Sequence, residues 1–260
     1  MIATGRTTAR ERPSLKPIRL YEGRKIDAHA HIGDFGGWAN VACDAGELLA
    51  AMRLYNVERS CVFYTDNSLV RKAAALHPRE VAGFVWPDPR QEGAVALVHR
   101  ALTEWGFRGI KLHPLVHAFL PDDEAVHPIM EEARRARVPV LIHSGHAPFS
   151  LPWSIAELAE RFRDVRVVML HMGHGHGFYI QAAIAVAKRL ENVYLETSGM
   201  PMHSKIKEAV ERVGEDRVMY GSDIPFHDPG VEMARVCAAG LTEAQLERVF
   251  YRNARDALGV

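Results

Sequence analysis

Cysteine is scarce. The 260 residues hold three, Cys43, Cys61 and Cys237, scattered and without a C-x-x-C pair. That excludes a disulfide scaffold, and the three read as reduced, partly buried small hydrophobes in a cytosolic protein. Charge of one sign is not in excess either, since 32 Lys and Arg face 32 Asp and Glu. Neither a broad nucleic-acid footprint nor an anionic-membrane surface is expected from such a balance, although a local basic pocket stays open. No apolar run approaches the ~18 residues of a membrane-spanning helix. The opening "MIATGRTTARERPSLKPIRL" lacks the apolar core of a secretory signal. Residues 1–22 are expected to be an N-terminal extension, partly flexible, and 23–260 one domain in a cytoplasmic protein. Its partner is expected to be a small molecule, with no nucleic acid and no membrane. A homodimer is allowed, but nothing in the sequence requires it.

Three nucleotide and hydrolase signatures are also missing. Gly33, Gly36 and Gly37 follow the first strand candidate without matching G-x-G-x-x-G, and no P-loop Lys-Ser/Thr follows. No G-x-S-x-G elbow exists for a serine hydrolase.

What is present is alternation. Apolar residues make up 48% of the chain, enough for a large α/β core. Eight short β-branched runs end in Gly, Pro, Asp or His: "KIDAHAH", "SCVFYT", "VAGFVWP", "GIKLHP", "PVLIHSG", "RVVMLHMG", "VYLETSG" and "VMYGSDIP". Helical stretches lie between them. Ser154 with Glu157, and Thr242 with Gln245, read as capping boxes. Pro128 should sit in a helix's first turn and not in its interior. Strand–helix alternation with near-continuous apolar strands predicts a parallel sheet covered by helices. Eight units in one domain of this size predict a (β/α)8 barrel.

The polar residues fall at strand ends. In "IDAHAH", Asp27, His29 and His31 are spaced to share one face of a strand. If that face points inward, they need a partner, because buried polar groups are costly when unpaired. Lys111 and His113 end the fourth candidate, His143 the fifth, His171 the sixth and Asp223 the eighth. In a closed barrel these ends converge on one mouth. Imidazoles with one carboxylate suit Zn²⁺, and also Mn²⁺ or Fe²⁺.

"IDAHAHIG", "GIKLHP", "VLIHSG", "VMLHMG" and "YGSDIP", in that order, resemble the amidohydrolase superfamily. Within it the chain is similar to the amidohydrolase-related branch of aminocarboxymuconate semialdehyde decarboxylases and pyrone dicarboxylate lactonases. The closing "VFYRNARDALG" extends the likeness to the last helix. The resemblance implies one divalent metal, Zn²⁺ first, held by His29, His31, His143 and Asp223. It implies that His171 and Asp223 are catalytic. Lys111 sits where binuclear branches carry a carboxylated lysine; here it is read as a charge partner for a substrate carboxylate. His146 and His174 border the mouth and are read as substrate contacts.

The expected reaction is hydrolysis. A metal-activated hydroxide would attack a C–O or C–N acyl bond in a small, carboxylate-bearing molecule. Its alternative is non-oxidative decarboxylation of a small unsaturated or aromatic acid. Both use the same donors, and only the shortness of the chain favours the hydrolase.

Overall fold

The computed structural model describes residues 17–37 and 39–260, so the expectation for residues 1–16 lies outside the described residues. Eight strands run parallel in sequence order: β1 (Lys25–His31), β2 (Val57–Phe63), β3 (Val81–Val85), β4 (Gly109–Leu112), β5 (Val140–His143), β6 (Val167–Leu170), β7 (Val193–Glu196) and β8 (Val218–Met219). The last strand has only two residues of regular ladder. The segment after it closes the ring onto β1: Ala28 N donates to Tyr220 O, His31 N to Ile224 O and Asp223 N to His29 O at 2.7–3.0 Å. The predicted (β/α)8 barrel is therefore the observed fold.

Each strand is followed by a helix on the outside. These are α1 (Ala45–Tyr55), α2 (Asn67–Leu76), α3 (Ala94–Thr103), α4 (His127–Ala136), α5 (Pro152–Arg161), α6 (Gly177–Arg189), α7 (His203–Val213) and α8 (Pro229–Cys237). Local chemistry sets their ends. Asp44 and Glu47 form a reciprocal capping box on α1, and Asn56 ends it in a left-handed conformation. Pro128 occupies the first turn of α4, as its missing N–H requires. The Thr242–Gln245 box opens the C-terminal helical stretch.

The Ser154 box does not form. Pro152 starts α5 two residues earlier, and the Ser154 hydroxyl bonds Asp122 instead. Proline's fixed φ favours the first helical position, so it overrides the serine downstream.

Apolar side chains make two layers. Ile26, Ala28, Phe63, Phe84, Leu141 and Leu170 belong to one cluster, joined by Ala254, Ala257 and Leu258 of the last helix. A larger cluster lies between strands and surrounding helices. Each fully buried Phe, Leu or Ile contributes roughly 1.5–3 kcal/mol over its exposed state. This apolar packing leaves the strands' C-terminal ends as the place where polar groups are buried.

Candidate active site

β1 does not keep simple alternation. Its register against β2 runs Asp27 with Ser60, then Ala30 with Val62, so three steps on β1 meet two on β2. That extra residue is a β-bulge, which re-aims side chains. Asp27 consequently turns to a crevice lined by Leu48, Met52, Val57 and Ile224, while His29 and His31 face the barrel mouth. The expectation that all three share one face is corrected: a bulge reverses parity without any compositional mark.

Three donor atoms meet at the mouth. His29 Nε2 and His31 Nε2 are 3.1 Å apart. Asp223 Oδ1 stands 3.2 Å from the first and 3.1 Å from the second. Two ligands at about 2.0–2.1 Å from one tetrahedral ion stand roughly 3.3 Å apart, so the spacing matches a shared cation.

The tautomers agree. His31 Nδ1 lies 3.3 Å from Phe63 O, an acceptor, so that nitrogen carries the proton. His29 Nδ1 lies 3.2 Å from Glu196 Oε2 and donates to it. Both Nε2 atoms are then lone pairs facing each other and a carboxylate oxygen. Burial lowers both imidazoles below their ordinary range, which keeps them neutral. Such an arrangement calls for positive charge; Lys111 Nζ approaches His29 Nε2 to 3.3 Å from one side, and a divalent ion fits among the three donors.

Two buried carboxylates hold these donors in place. Glu196 Oε2 accepts from His29, from His171 N at 3.1 Å and from the Ser198 hydroxyl at 2.8 Å. Burial pushes its carboxyl up to about 8, against those donors. Asp27 Oδ1 accepts from His29 N at 3.0 Å and Ser222 N at 2.9 Å, and its Oδ2 from the Ser222 hydroxyl at 2.5 Å. It ties β1 to the segment carrying Asp223. Asp223 and His171 both have positive φ, 56° and 65°. Non-glycine residues reach that region at a cost of about 1–3 kcal/mol and stay there when surrounding bonds over-determine them.

Lys111 is fully buried, with Nζ 3.3 Å from His29 Nε2 and 5.2 Å from the centre of the Phe63 ring. Burial pulls its ammonium down to about 7, although Asp223 and Glu196 pull the other way.

Across the mouth, β5 and β6 gather a second set. His143 stacks on His113 at 3.9 Å between ring centres, and His113 in turn stacks on Trp86 at 5.4 Å. His143 Nε2 is 2.9 Å from His146 Nδ1. His171 stacks on His174 at 4.4 Å, and its Nδ1 lies 3.2 Å from Ser198 O, leaving Nε2 unprotonated. One cavity of about 420 Å³ is bordered by His29, His31, Lys111, His143, His146, His171, His174 and Asp223, the positions read from the sequence as metal, catalytic or substrate residues, whereas Asp27 lies outside it. The structure groups them differently, however. His29, His31 and Asp223 form one potential metal set, whereas His143 joins His146 and His174 in another.

Some lining residues escaped sequence reading. Phe35, Tyr64 and Phe226 come from three loops and pack edge to face at 4.7–5.1 Å over His31. Glu196 and Ser198 read equally well as a strand-end loop, and the "ETS" run is their only mark.

Donors drawn from the first strand of a closed parallel barrel and from the segment after its last strand define a class, the barrel enzymes with a metal site, and fold and site put this chain in it. The family is narrower. A family model described as "Amidohydrolase" matches residues 26–260, and the chain belongs to that family. Among curated proteins it is similar to "Decarboxylase orsB" of Emericella nidulans, 29% identical over 124 residues, which is 40% of this chain and 38% of that protein. Among solved structures it resembles 5-carboxyvanillate decarboxylase LigW2 of Novosphingobium aromaticivorans, solved with bound manganese. The TM-score is 0.73 at 17% identity, over 91% of this chain and 97% of that one. 2,6-Dihydroxybenzoate decarboxylase from Rhizobium gives 0.70 at 15%, over 91% and 98%. A putative amidohydrolase from Staphylococcus aureus gives 0.73 at 18%, over 92% and 100%. At such identities these likenesses speak to fold alone. No helix among the described residues is long and apolar enough to cross a membrane.

Proposed function

We propose that this enzyme is a metal-dependent, non-oxidative decarboxylase of a small aromatic or unsaturated acid, in preference to the hydrolase that chain length favoured. The observation that carries the reading is the pocket itself: a donor floor of His29, His31 and Asp223 under walls of Phe35, Tyr64, Trp86 and Phe226. Flat aromatic walls suit a flat substrate. The named decarboxylases among the relatives support the same choice. So does the extent of the match, which takes in 97% and 98% of two decarboxylase chains and removes the force of the length argument.

His29, His31 and Asp223 would hold the ion, with His143 the further donor implied by the family resemblance. Two imidazoles and a carboxylate accept Mn²⁺ as well as Zn²⁺. When bound, the ion supplies a Lewis acid for the substrate's oxygens.

The chain's own residues do the rest. The aromatic walls hold the ring and exclude water. Lys111, buried at the floor, pairs with a substrate anion as a point charge. Trp86 borders the cavity with a buried Nε1–H that has no partner, a donor for a substrate oxygen. Decarboxylation exchanges a C–CO₂⁻ bond for C–H, so one proton must reach the vacated carbon as CO₂ leaves. Asp223, at the cavity wall, delivers it. His171, with Nδ1 committed to Ser198 and Nε2 unprotonated, accepts and relays protons. His146 and His174 border the substrate. Its free cysteines support a reducing compartment such as the cytoplasm.

The test is a panel of hydroxybenzoic and enoic acids, lactones and amides, run with Mn²⁺ or Zn²⁺ in deuterated, ¹⁸O-labelled water. Stoichiometric CO₂, with one deuterium on the vacated carbon and no ¹⁸O in the product, is expected. Water-derived ¹⁸O in the product without CO₂ would return the chain to the hydrolases.

A further inference from the structure

We propose that Asp34 is a specificity-determining residue. At the outer end of the cavity it accepts a hydrogen bond from a hydroxyl or amino group of the substrate, and it turns away substrates with a second carboxylate there. The inference deepens the reading above and rests on it for a flat, anionic substrate.

The cavity is polar at both ends and aromatic between them. Lys111 is fully buried at the floor. It is the single Lys or Arg among the described residues bordering the cavity, and it draws the substrate's carboxylate inward. Two carboxylates border the same cavity, Asp223 and Asp34. Asp223 is buried among the donors for the ion. Asp34 comes three residues after the end of β1 and is exposed. A molecule whose anionic end faces Lys111 therefore presents its other end to Asp34.

The Asp34 side chain is fixed in place, yet only half of it is used. Gly33 and Asp34 pair with Cys43 and Ala42 in a short antiparallel ladder, and Phe35 N donates to Val41 O at 2.9 Å. The Tyr64 hydroxyl donates to Asp34 O at 2.8 Å. At Gly33, where φ is +121°, an added Cβ would collide with the Tyr64 ring, so glycine is what lets that ring lie against the backbone. One carboxylate oxygen, Oδ1, accepts from Gly36 N at 2.8 Å and sets the direction of the group. The other, Oδ2, has no hydrogen bond or ion pair among the described residues and is left for a ligand. Phe35 and Tyr64 pack edge to face at 5.1 Å beside it, and Thr65 adds a hydroxyl to the same rim. Aromatic neighbours lower the local dielectric. That strengthens a hydrogen bond to a charged acceptor, and it strengthens the repulsion of a like charge equally.

The experiment is calorimetric binding to the full-length, Mn²⁺-loaded protein, which reads recognition apart from the bond the enzyme breaks; CO₂ release judges the reaction separately. The probes are three benzoic acids that differ only opposite the acid group: 4-hydroxybenzoate, 4-methylbenzoate and terephthalate. In the wild type the hydroxy acid should bind about tenfold more tightly than the methyl acid, and terephthalate more weakly than either. Asp34→Asn keeps an oxygen for Gly36 N but loses the charge. It should narrow the gap between hydroxy and methyl acids to about threefold or less, leave the methyl acid's Kd unchanged and bring terephthalate level with it. Asp34→Lys should make terephthalate the tightest of the three. The wild-type series stands without any variant. Equal Kd values for the hydroxy and methyl acids in the wild type, an Asp34→Asn variant that keeps the wild-type order and spacing, or no measurable binding of any of the three acids would overturn the proposal.

Discussion

The two sides of the barrel mouth are built on different principles. On the β1–β8 side His29 and His31 end β1 and Asp223 lies on the segment hydrogen-bonded to it after β8; the donors stand 3.1–3.2 Å apart and are braced by Asp27 and Glu196. On the β5–β6 side His143 ends β5, whereas His146 and His174 sit on loops, with His143 Nε2 2.9 Å from His146 Nδ1 and no carboxylate among the described residues bracing the set. The difference teaches where precision comes from. Strand ends inherit the rigidity of the ladder, and buried carboxylates with several donors fix the tautomer and aim of a ligand. Loops reach comparable proximity through backbone contact at Gly145 and Gly175, which sets position without setting angle.

The largest expected effect separates proton chemistry from metal binding on the tight side. Asp223→Asn should keep a ligating oxygen but lose the proton carrier, so kcat should fall by about 10²–10⁴-fold while bound metal stays near one per chain. His29→Ala removes a ligand outright and should lose the metal as well as turnover. Near wild-type kcat in Asp223→Asn, on whatever acid proves to be the substrate, would deny that residue its role.

Next come the braces. Asp27→Ala leaves the His29 and Ser222 amides without their buried acceptor. Roughly 3 kcal/mol of stability should go, read by urea unfolding, together with tight-site metal affinity. Glu196→Gln is milder. The shape is kept, but the acceptor that holds the His29 Nδ1 proton is weakened. Metal affinity should drop by about 10–100-fold with little change in stability. Equal metal affinities in wild type and Glu196→Gln would mean that the strand alone orients His29.

Part of this contrast is legible in the sequence. Eight strand ends could be read because buried parallel strands are apolar throughout and their polar termini stand out. His29, His31, His143, His171 and Asp223 stand out in that way. What stayed hidden depends on three-dimensional context. The bulge that turns Asp27 away from His29 leaves no trace in composition. Ser154 looked like a cap because its competitor, Pro152, acts through φ. Glu196 at the end of "YLE" could equally have been loop polarity, and its several donors come from β1, β6 and its own turn. Phe35, Tyr64 and Phe226 meet only because three separate loops fold over one mouth. The proximity of His146 to His174 likewise rests on glycine contacts between loops more than twenty residues apart, for which sequence spacing gives no rule.

The smallest expected effect tests the loop side alone. Ser144 lies next to His143 but faces away from the cavity. Its hydroxyl donates to Leu170 O at 2.6 Å and accepts from Gly173 N at 3.0 Å, pinning the turn after β5 to the turn after β6. Ser144→Ala keeps the volume nearly constant and orphans both groups in a buried place. The cost should be about 1–2 kcal/mol, seen as a fall of a few degrees in Tm. Because that hydroxyl bonds neither β1 nor Asp223, affinity at the tight site should fall far less than in Asp27→Ala. The turns after β5 and β6 should loosen, seen as faster hydrogen exchange at the Gly173 amide. If the tight site weakened as much as in Asp27→Ala, the two walls would be one mechanical unit, and the contrast between the two sides would fail.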